Sequence, residues 1–183
     1  CTRIQGRSTP ILGESARMRE VFSLVSRIAP TGINALITGE SGTGKELIAR
    51  AIHENSDRRD KPFQAINCGG VPETLVESEL FGYRKGAFTG AGQAKAGLLE
   101  KADQGTFLLD EVADLSANLQ VKLLRCLQDG TFTPLGATDG VQTDIRFIGA
   151  SNRDVEYEVA EGSLREDLYY RLSGVIIHLP PLR

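Results

Sequence analysis

Cysteine is scarce in this chain of 183 residues, and the three that occur, Cys1, Cys68 and Cys126, form no CxxC pair and no cluster with histidine. An odd count without such spacing argues against a disulfide scaffold and against a zinc site. No apolar run approaches the ~18 residues of a membrane helix. The net charge of −3 leaves no footprint of nucleic-acid binding by the whole module. We therefore expect reduced, mostly buried thiols, no membrane contact, and DNA contact only through another part of the protein or a local patch.

Markers of a complete N-terminus and of secretion are also missing. The only methionine is Met18, no signal peptide is present, and the chain stops at "LPPLR", which is typical of a linker. We expect a cytoplasmic protein and a fragment of a longer chain. The remaining composition is ordinary for a globular protein, since 40% of the residues are hydrophobic and 25% are charged. This length is enough for one domain with a sizeable core.

Short apolar segments alternate with amphipathic ones along the chain. Helical spacing of apolar side chains predicts helices over about 15–29, 47–52, 72–81, 116–127 and 164–172. Strands are predicted at "NALIT", "FQAIN", "TFLLDEV", "IRFIGAS" and "VIIHL", and "TFTPLGATDGVQT" is predicted to form a hairpin. Apolar strands that alternate with helices indicate a three-layer α/β fold with a mainly parallel, five-stranded sheet.

The stretch "GESGTGKE" lies between a predicted strand and a predicted helix, which is the setting that a phosphate-binding loop requires. Its glycines let main-chain N–H groups face phosphates, and the helix start adds the positive end of its dipole. Lys45 would reach the β- and γ-phosphates, whereas Glu46 replaces the usual Mg²⁺-binding Ser or Thr, so direct coordination by it is in doubt. The alternative is a glycine-rich turn without a ligand. The candidate nucleotide-binding residues are Gly39, Glu40, Ser41, Gly42, Thr43, Gly44, Lys45 and Glu46.

Two acidic residues, Asp110 and Glu111, end the apolar strand "TFLLD". Ligands of open parallel sheets bind at the carboxyl ends of the strands. Asp110 is therefore placed to hold Mg²⁺, and Glu111 to orient and deprotonate a water that attacks the γ-phosphate of ATP. The alternative is a solvated acidic turn, but the phosphate-binding loop upstream favours ATP hydrolysis.

A third motif, "GAFTGA", combines five small residues with one aromatic ring. Its two glycines argue against a regular helix or strand. We expect an exposed loop with Phe88 at its tip; the alternative is that Phe88 folds back into a local core and the glycines merely make a turn.

These motifs together resemble the central AAA+ ATPase domain of sigma-54-dependent bacterial transcription activators. The resemblance runs from "ILGES" to "LPPLR" and also rests on "GESGTGKE", "ESELFGYRKGAFTGA", "GTFLLDEV", "ASNRD" and "LREDLYYRL". It implies that residues 1–183 are the P-loop NTPase large subdomain of a ring-forming ATPase, commonly a hexamer. The helical lid, any regulatory domain and any DNA-binding domain are then missing. Glu46 is usual in this family.

The resemblance also implies roles for residues that spacing alone does not assign. Asn152 resembles the sensor of the γ-phosphate, and Asn67 resembles the residue that holds the catalytic glutamate away from water. Arg165 and Arg171 match arginine fingers that act on the neighbouring subunit's nucleotide. Predicted to lie on one helix, six residues apart, they should face different directions. The alternatives are strand-end polar residues and surface arginines paired with nearby acids.

For "GAFTGA" the resemblance implies contact with the sigma-54 subunit of RNA polymerase, with a second loop around 133–143 moving alongside. The partner-binding residues would be Gly86, Ala87, Phe88, Thr89, Gly90 and Ala91. Two other functions stay open. One is a different P-loop machine, such as a helicase or chelatase subunit, and the other is a nucleotide-gated binding module without turnover.

Overall fold

Apolar strands form the centre of the molecule, and helices cover both faces of their sheet. The computed structural model describes residues 15–182, so Cys1 and most of "ILGES" lie outside the described residues. Within that range the strands are β1 Ala35–Thr38, β2 Phe63–Asn67, β3 Gly82–Tyr83, β4 Lys95–Ala96, β5 Thr106–Asp110, β6 Thr131–Phe132, β7 Val141–Gln142, β8 Arg146–Ser151 and β9 Val175–His178. The helices there are α1 Ala16–Ile28, α2 Lys45–Glu54, α3 Glu73–Phe81, α4 Leu98–Lys101, α5 Ala117–Asp129, α6 Val155–Ala160 and α7 Glu166–Leu172.

Five of these strands form one parallel sheet in the order β2-β5-β8-β1-β9. Their registers align the last residues of the strands, because Thr38 pairs with both Ser151 and His178, and Asn67 pairs with Asp110. The loops that follow β1, β2, β5 and β8 therefore leave the same edge of the sheet. The predicted three-layer α/β fold is confirmed.

Alternation along the strands divides the apolar side chains between two cores. Leu36 and Leu109 belong to the core under α3, α4, α5 and α7, whereas their neighbours Ile37 and Leu108 belong to the core under α1 and α2. Because each central strand is buried on both faces, its sequence reads as a continuous apolar run.

The helix boundaries follow local capping chemistry. Ser116 caps α5 by accepting a hydrogen bond from the N–H of Leu119, as the sequence predicts, and Gly130 ends that helix with a left-handed φ of 70°. The last helix differs from the prediction. Since α7 begins at Glu166, Arg165 occupies the extended N-cap position, so the argument that placed both arginines on helical faces is wrong for Arg165.

A buried guanidinium joins α1 to the sheet. Arg146 is 1% exposed, and its nitrogens donate to the carbonyls of Ile33 at 3.0 Å, Ala29 at 2.7 Å and Ile28 at 3.0 Å. Burial lowers the pKa of Arg146 to about 10, so the side chain stays charged at neutral pH. The positive charge lies at the C-terminal end of α1, where the helix dipole favours a cation.

Cys68 and Cys126 are free and buried, and burial raises the pKa of these thiols to about 12 and about 11, respectively. The expected buried, reduced thiols are thus found at both positions. Among residues 15–182, every helix is too short or too polar to span a bilayer.

Candidate functional site

The phosphate-binding loop connects β1 to α2 at the carboxyl edge of the sheet. Gly42 and Gly44 have φ values of 79° and 88°, a left-handed conformation that side chains other than glycine rarely adopt. Gly44 is the N-cap of α2 and offers no side chain to the first N–H groups of the helix. These N–H groups therefore remain available to an anion.

Lys45 is the first residue of α2, and its side chain turns back over the loop. It is 7% exposed, and its Nζ donates to the carbonyl oxygens of Gly39 at 2.9 Å and Glu40 at 3.0 Å. These two carbonyls compensate the buried ammonium group, which lies against the loop.

Glu46 faces a different group. Its Oε1 accepts hydrogen bonds from Arg50 Nε at 3.1 Å and from Arg50 Nη2 at 2.9 Å, and the Arg50 guanidinium lies 4.6 Å from the centre of the Phe63 ring. The Glu46 carboxylate is therefore paired with Arg50 on the outer surface of α2.

The acidic residues at the end of β5 are held by main-chain groups. Asp110 Oδ1 accepts from the N–H of Glu111 at 3.0 Å, and Glu111 Oε2 accepts from the N–H of Asn152 at 3.2 Å. Glu111 itself has φ 53° and ψ 50°, a left-handed conformation that is uncommon for a residue with a β-carbon and that concentrates at functional sites.

The end of β8 connects this carboxylate to the phosphate-binding loop. The N–H of Gly39 donates to the carbonyl of Ser151 at 3.3 Å, and the next residue, Asn152, donates to Glu111. Two consecutive residues of β8 and its following loop therefore lie between the phosphate-binding loop and the acidic strand end. The structure thus brings together the phosphate-binding loop, the acidic end of β5 and Asn152.

Asn67 lies beside Glu111 but bonds elsewhere. Its Oδ1 accepts from the N–H of Gly69 at 2.8 Å, while Glu111 uses Asn152. A β-carbon at Gly69 would be 3.2 Å from Asn67 Oδ1 and 3.4 Å from Glu111 Cγ, so both side chains border the same glycine. The role implied for Asn67 stays a prediction.

The two candidate arginine fingers lie at opposite ends of α7. Arg165 is exposed and forms a two-pronged ion pair with Asp167, at 3.0 Å from Nε and 2.9 Å from Nη2. This hydrogen bonding lowers the pKa of Asp167. Arg171 is exposed in the last turn, and its carbonyl accepts from Asn34 Nδ2 at 3.1 Å.

The "GAFTGA" segment forms a tight loop between β3 and β4. The N–H of Gly86 donates to the carbonyl of Ala91 at 2.8 Å, and the N–H of Ala91 donates to the carbonyl of Phe88 at 3.1 Å. The Phe88 side chain is 46% exposed, and its ring centre lies 4.9 Å from that of Tyr83 with an interplanar angle of 67°. Phe88 therefore presents one part of its ring to solvent and rests the other against Tyr83.

A second loop, between β6 and β7, supports the first one. The N–H of Arg84 donates to the carbonyl of Leu135 at 2.9 Å, and the N–H of Leu135 donates to the carbonyl of Gly82 at 3.0 Å. Gly136 packs so closely on Ala87 that an added β-carbon would be 2.7 Å from Ala87 Cβ. The predicted hairpin is confirmed, and it is in direct contact with the "GAFTGA" loop.

Sequence reasoning missed two polar residues near the site. Arg153 pairs with Asp114 at 2.6 Å and with Glu158 at 3.6 Å, joining the turn after β5 to α6. Gln120 is buried in α5 and bonded to three main-chain groups. A signal for Gln120 existed, since it shares the spacing of Leu123, Leu124 and Leu127 on the apolar stripe.

Comparison with known families gives a match over nearly the entire chain. The model described as "Sigma-54 interaction domain" matches residues 11–178. Among curated proteins, the putative uric acid sigma-54-dependent transcriptional regulator UacR of Escherichia coli K12 is 53% identical over 174 residues, covering 94% of this chain and 29% of UacR. The regulator NtrC of the same organism is 47% identical over 181 residues, covering 99% of this chain and 39% of NtrC. The chain thus corresponds to 29% of the length of UacR and 39% of the length of NtrC.

Solved structures give a consistent result. NtrX from Brucella abortus superimposes with a TM-score of 0.88 at 42% identity, over 93% of this chain and 38% of NtrX, and NtrX in complex with ATP gives 0.86 at 41% identity, over 94% of this chain and 37% of NtrX. A P-loop NTPase domain of a sigma-54 activator from E. coli gives a TM-score of 0.63 at 17% identity, over 94% of this chain and 100% of that chain. At that identity the likeness shows the fold alone.

Proposed function

The chain belongs to the sigma-54 interaction domain family, and we propose that it hydrolyses ATP to remodel the sigma-54 form of RNA polymerase at the start of transcription. Within this proposal, residues 1–183 are the large subdomain of an AAA+ module. A helical lid and regulatory and DNA-binding domains then belong to other parts of a longer, cytoplasmic protein, and DNA is contacted only through the last of these.

The phosphate groups of ATP would bind in the loop of residues 39–46. Support comes from the uncapped start of α2 and from the buried Lys45 ammonium group, whose loop carbonyl partners can be exchanged for phosphate oxygens. The relative NtrX has been solved in complex with ADP and with ATP.

A magnesium ion would be held by Asp110 together with the phosphates. In residues 15–182, no group of three or more His, Cys, Asp or Glu is placed to hold a metal, and Mg²⁺ needs no such group, because it takes one or two carboxylates and completes its shell with water and phosphate oxygens. Glu46 is paired with Arg50 and Glu111 accepts from Asn152, so we assign the ion to Asp110 at the end of β5. The bound ion would neutralise charge on the phosphates.

Glu111 would act as the general base for the attacking water. Its carboxylate is oriented by the main chain of Asn152, and Asn152 and Asn67 lie at the ends of β8 and β2, the two strands that flank β5. We assign Asn152 to sensing the γ-phosphate and Asn67 to restraining Glu111. A general base of this kind typically contributes ~10²–10⁴-fold to a rate.

Arg165 and Arg171 would complete the site of a neighbouring subunit in a ring, which we propose to be a hexamer. Both are exposed at the ends of α7, and an exposed guanidinium can reach across a subunit boundary. Arg165 would exchange Asp167 for the charge that develops on the γ-phosphoryl group.

The "GAFTGA" loop would be the contact with sigma-54. The observation that carries this proposal is the half-exposed Phe88 ring, held on Tyr83 at the tip of a loop that a second loop supports. Exposed aromatic side chains of this kind serve as anchors at protein interfaces. Gly86 and Gly90, with φ values of 81° and 98°, let the chain reverse between β3 and β4.

The direct test uses the full-length parent protein, sigma-54 RNA polymerase and a sigma-54-dependent promoter. We expect open complexes with ATP and none with a non-hydrolysable ATP analogue. Hydrolysis of ATP without open complexes, or open complexes formed equally well without hydrolysis, would contradict the proposal.

A further inference from the structure

A single buried carboxamide lies between the acidic strand end and α7. Gln120 is 1% exposed. Its Nε2 donates to the carbonyl of Leu115 at 2.8 Å and to the carbonyl of Ser163 at 2.8 Å, and its Oε1 accepts from the N–H of Arg165 at 2.8 Å. Both amide hydrogens and the oxygen are therefore used.

The three partners belong to three different segments. Leu115 follows the short turn Val112–Asp114, which begins immediately after Glu111. Ser163 lies in the turn after α6, and Arg165 is the N-cap of α7. All the partners are main-chain groups, so Gln120 fixes the course of the backbone in each segment and leaves the charged side chains free for other contacts.

The bond to Arg165 matters because it holds the N–H of this residue, whereas the Arg165 carbonyl accepts from the N–H of Tyr169 at 3.0 Å inside α7. The start of a helix leaves its first N–H groups without acceptors inside the helix, and Gln120 supplies the acceptor for one of them. The Arg165 side chain is exposed and pairs with Asp167, two residues away on the same segment. The position of the guanidinium therefore depends on where the main chain of Arg165 is held.

We infer that Gln120 is a positioning residue for Arg165, which links the place of this proposed finger to the turn that follows Asp110 and Glu111 in the same subunit. The inference rests on the proposed function, in which Arg165 acts on the neighbour's nucleotide. Through Gln120, the strand end that would contact one nucleotide also fixes the position of Arg165, which would be presented to the nucleotide of the neighbouring subunit.

Mixed rings of the full-length parent can separate this role from a general loss of stability. One subunit type carries Lys45→Ala and contributes only an intact finger, and the other carries Arg165→Ala and contributes only an intact nucleotide site. Gln120→Met is then added either to the finger-contributing subunit or to the site-contributing subunit, and ATP hydrolysis is measured at equal mixing.

We expect Gln120→Met in the finger-contributing subunit to lower the recovered rate by about 10-fold or more, since a displacement near 1 Å can cost ~10²-fold. In the site-contributing subunit, where Gln120 still holds Leu115 after the Glu111 turn, the loss should be smaller. An equal loss in both arrangements, or a larger loss in the second, overturns the inference. No recovery with Gln120 intact instead counts against the trans role of Arg165, and so against the proposed function.

A further measurement covers a failure of Gln120→Met to assemble, which sizing would detect. Hydrogen exchange in the unsubstituted ring tests the contact without any variant. The Arg165 amide should exchange slowly, and exchange as rapid as that of an exposed loop would overturn the inference.

Discussion

The main-chain N–H of Asn152 donates a hydrogen bond to Glu111 Oε2 at 3.2 Å. The carboxylate of the proposed general base is therefore oriented by the first residue after β8. The last residue of β8, Ser151, accepts a hydrogen bond from the N–H of Gly39 in the phosphate-binding loop. A change in that loop can reach Glu111 through two consecutive residues.

Glu111→Gln should keep ATP binding and remove most hydrolysis. The carboxamide oxygen can still accept from Asn152, but the amide cannot take a proton from water, so the rate should fall by ~10²–10⁴-fold. The measurement is phosphate release by the full-length parent, with ATP affinity determined in parallel. Glu161→Gln, at the exposed end of α6, serves as the control, and an unchanged rate for Glu111→Gln would refute the assignment.

Lys45→Ala should weaken ATP binding by ~10²-fold, because a charge-assisted contact to phosphate in a partly buried site is lost. Lys101→Ala is the matched control, because this lysine is exposed at the end of α4 and lies outside the loop of residues 39–46, so its removal should leave affinity nearly unchanged. Titration with a fluorescent ATP analogue measures both, and equal affinities for the two variants would sink the phosphate-binding assignment.

Phe88→Ala and Thr89→Ala should uncouple hydrolysis from the partner. Neither residue belongs to the phosphate site, so ATP hydrolysis should persist, whereas truncation of an aromatic anchor can cost ~2 kcal/mol or more of binding free energy. Binding to sigma-54 is measured with a transition-state mimic of ATP. Tyr157→Ala removes another exposed aromatic ring, 60% exposed on α6, and should leave binding intact. If Phe88→Ala binds sigma-54 and opens promoters like the parent, the ring is only packing.

Mixing Arg171→Ala with Lys45→Ala subunits should restore part of the ATP hydrolysis that each lacks alone. One interface of a mixed ring can then combine an intact phosphate-binding loop with an intact arginine. Sizing confirms that both variants assemble together. Confirmed mixed rings without recovery at any ratio would speak against action between subunits.

Arg146→Lys should destabilise the fold without touching the site. An ammonium group cannot reach the three carbonyls that the guanidinium satisfies, and each unsatisfied buried carbonyl costs ~1–3 kcal/mol. The free energy of unfolding in urea should fall by about 2–3 kcal/mol, compared with little change for Arg125→Lys on the exposed side of α5. Equal stability of the two variants would contradict this account of Arg146.

The sheet and its helices could be predicted because burial leaves a strong periodic signal. The five central strands and the longer helices follow from apolar runs and from caps such as Ser116. Helices α4 and α6 have four and six residues, too few for a helical period to be recognised. Arg165 was misplaced for a related reason, since Leu164 continues the apolar spacing of α7 although the helix begins two residues later.

The candidate site was predictable in part. Motif spacing indicated the phosphate-binding loop and the acidic strand end, and the register places them on one edge of the sheet. Contacts between distant segments carry no such signal. The pairing of Gln120 with Arg165 spans 45 residues, and the pairing of Arg153 with Asp114 joins two separate loops, so only the folded chain reveals them.

The close fit of Gly136 on Ala87 has a consequence for protein engineering. A chimaera that imports the segment 82–96 from a relative while retaining residues 131–143 would combine two surfaces that were not selected for each other. Two main-chain hydrogen bonds and a contact that excludes a β-carbon must all be matched. The two loops therefore depend on each other structurally, and we expect a folded chimaera only when both segments are exchanged together.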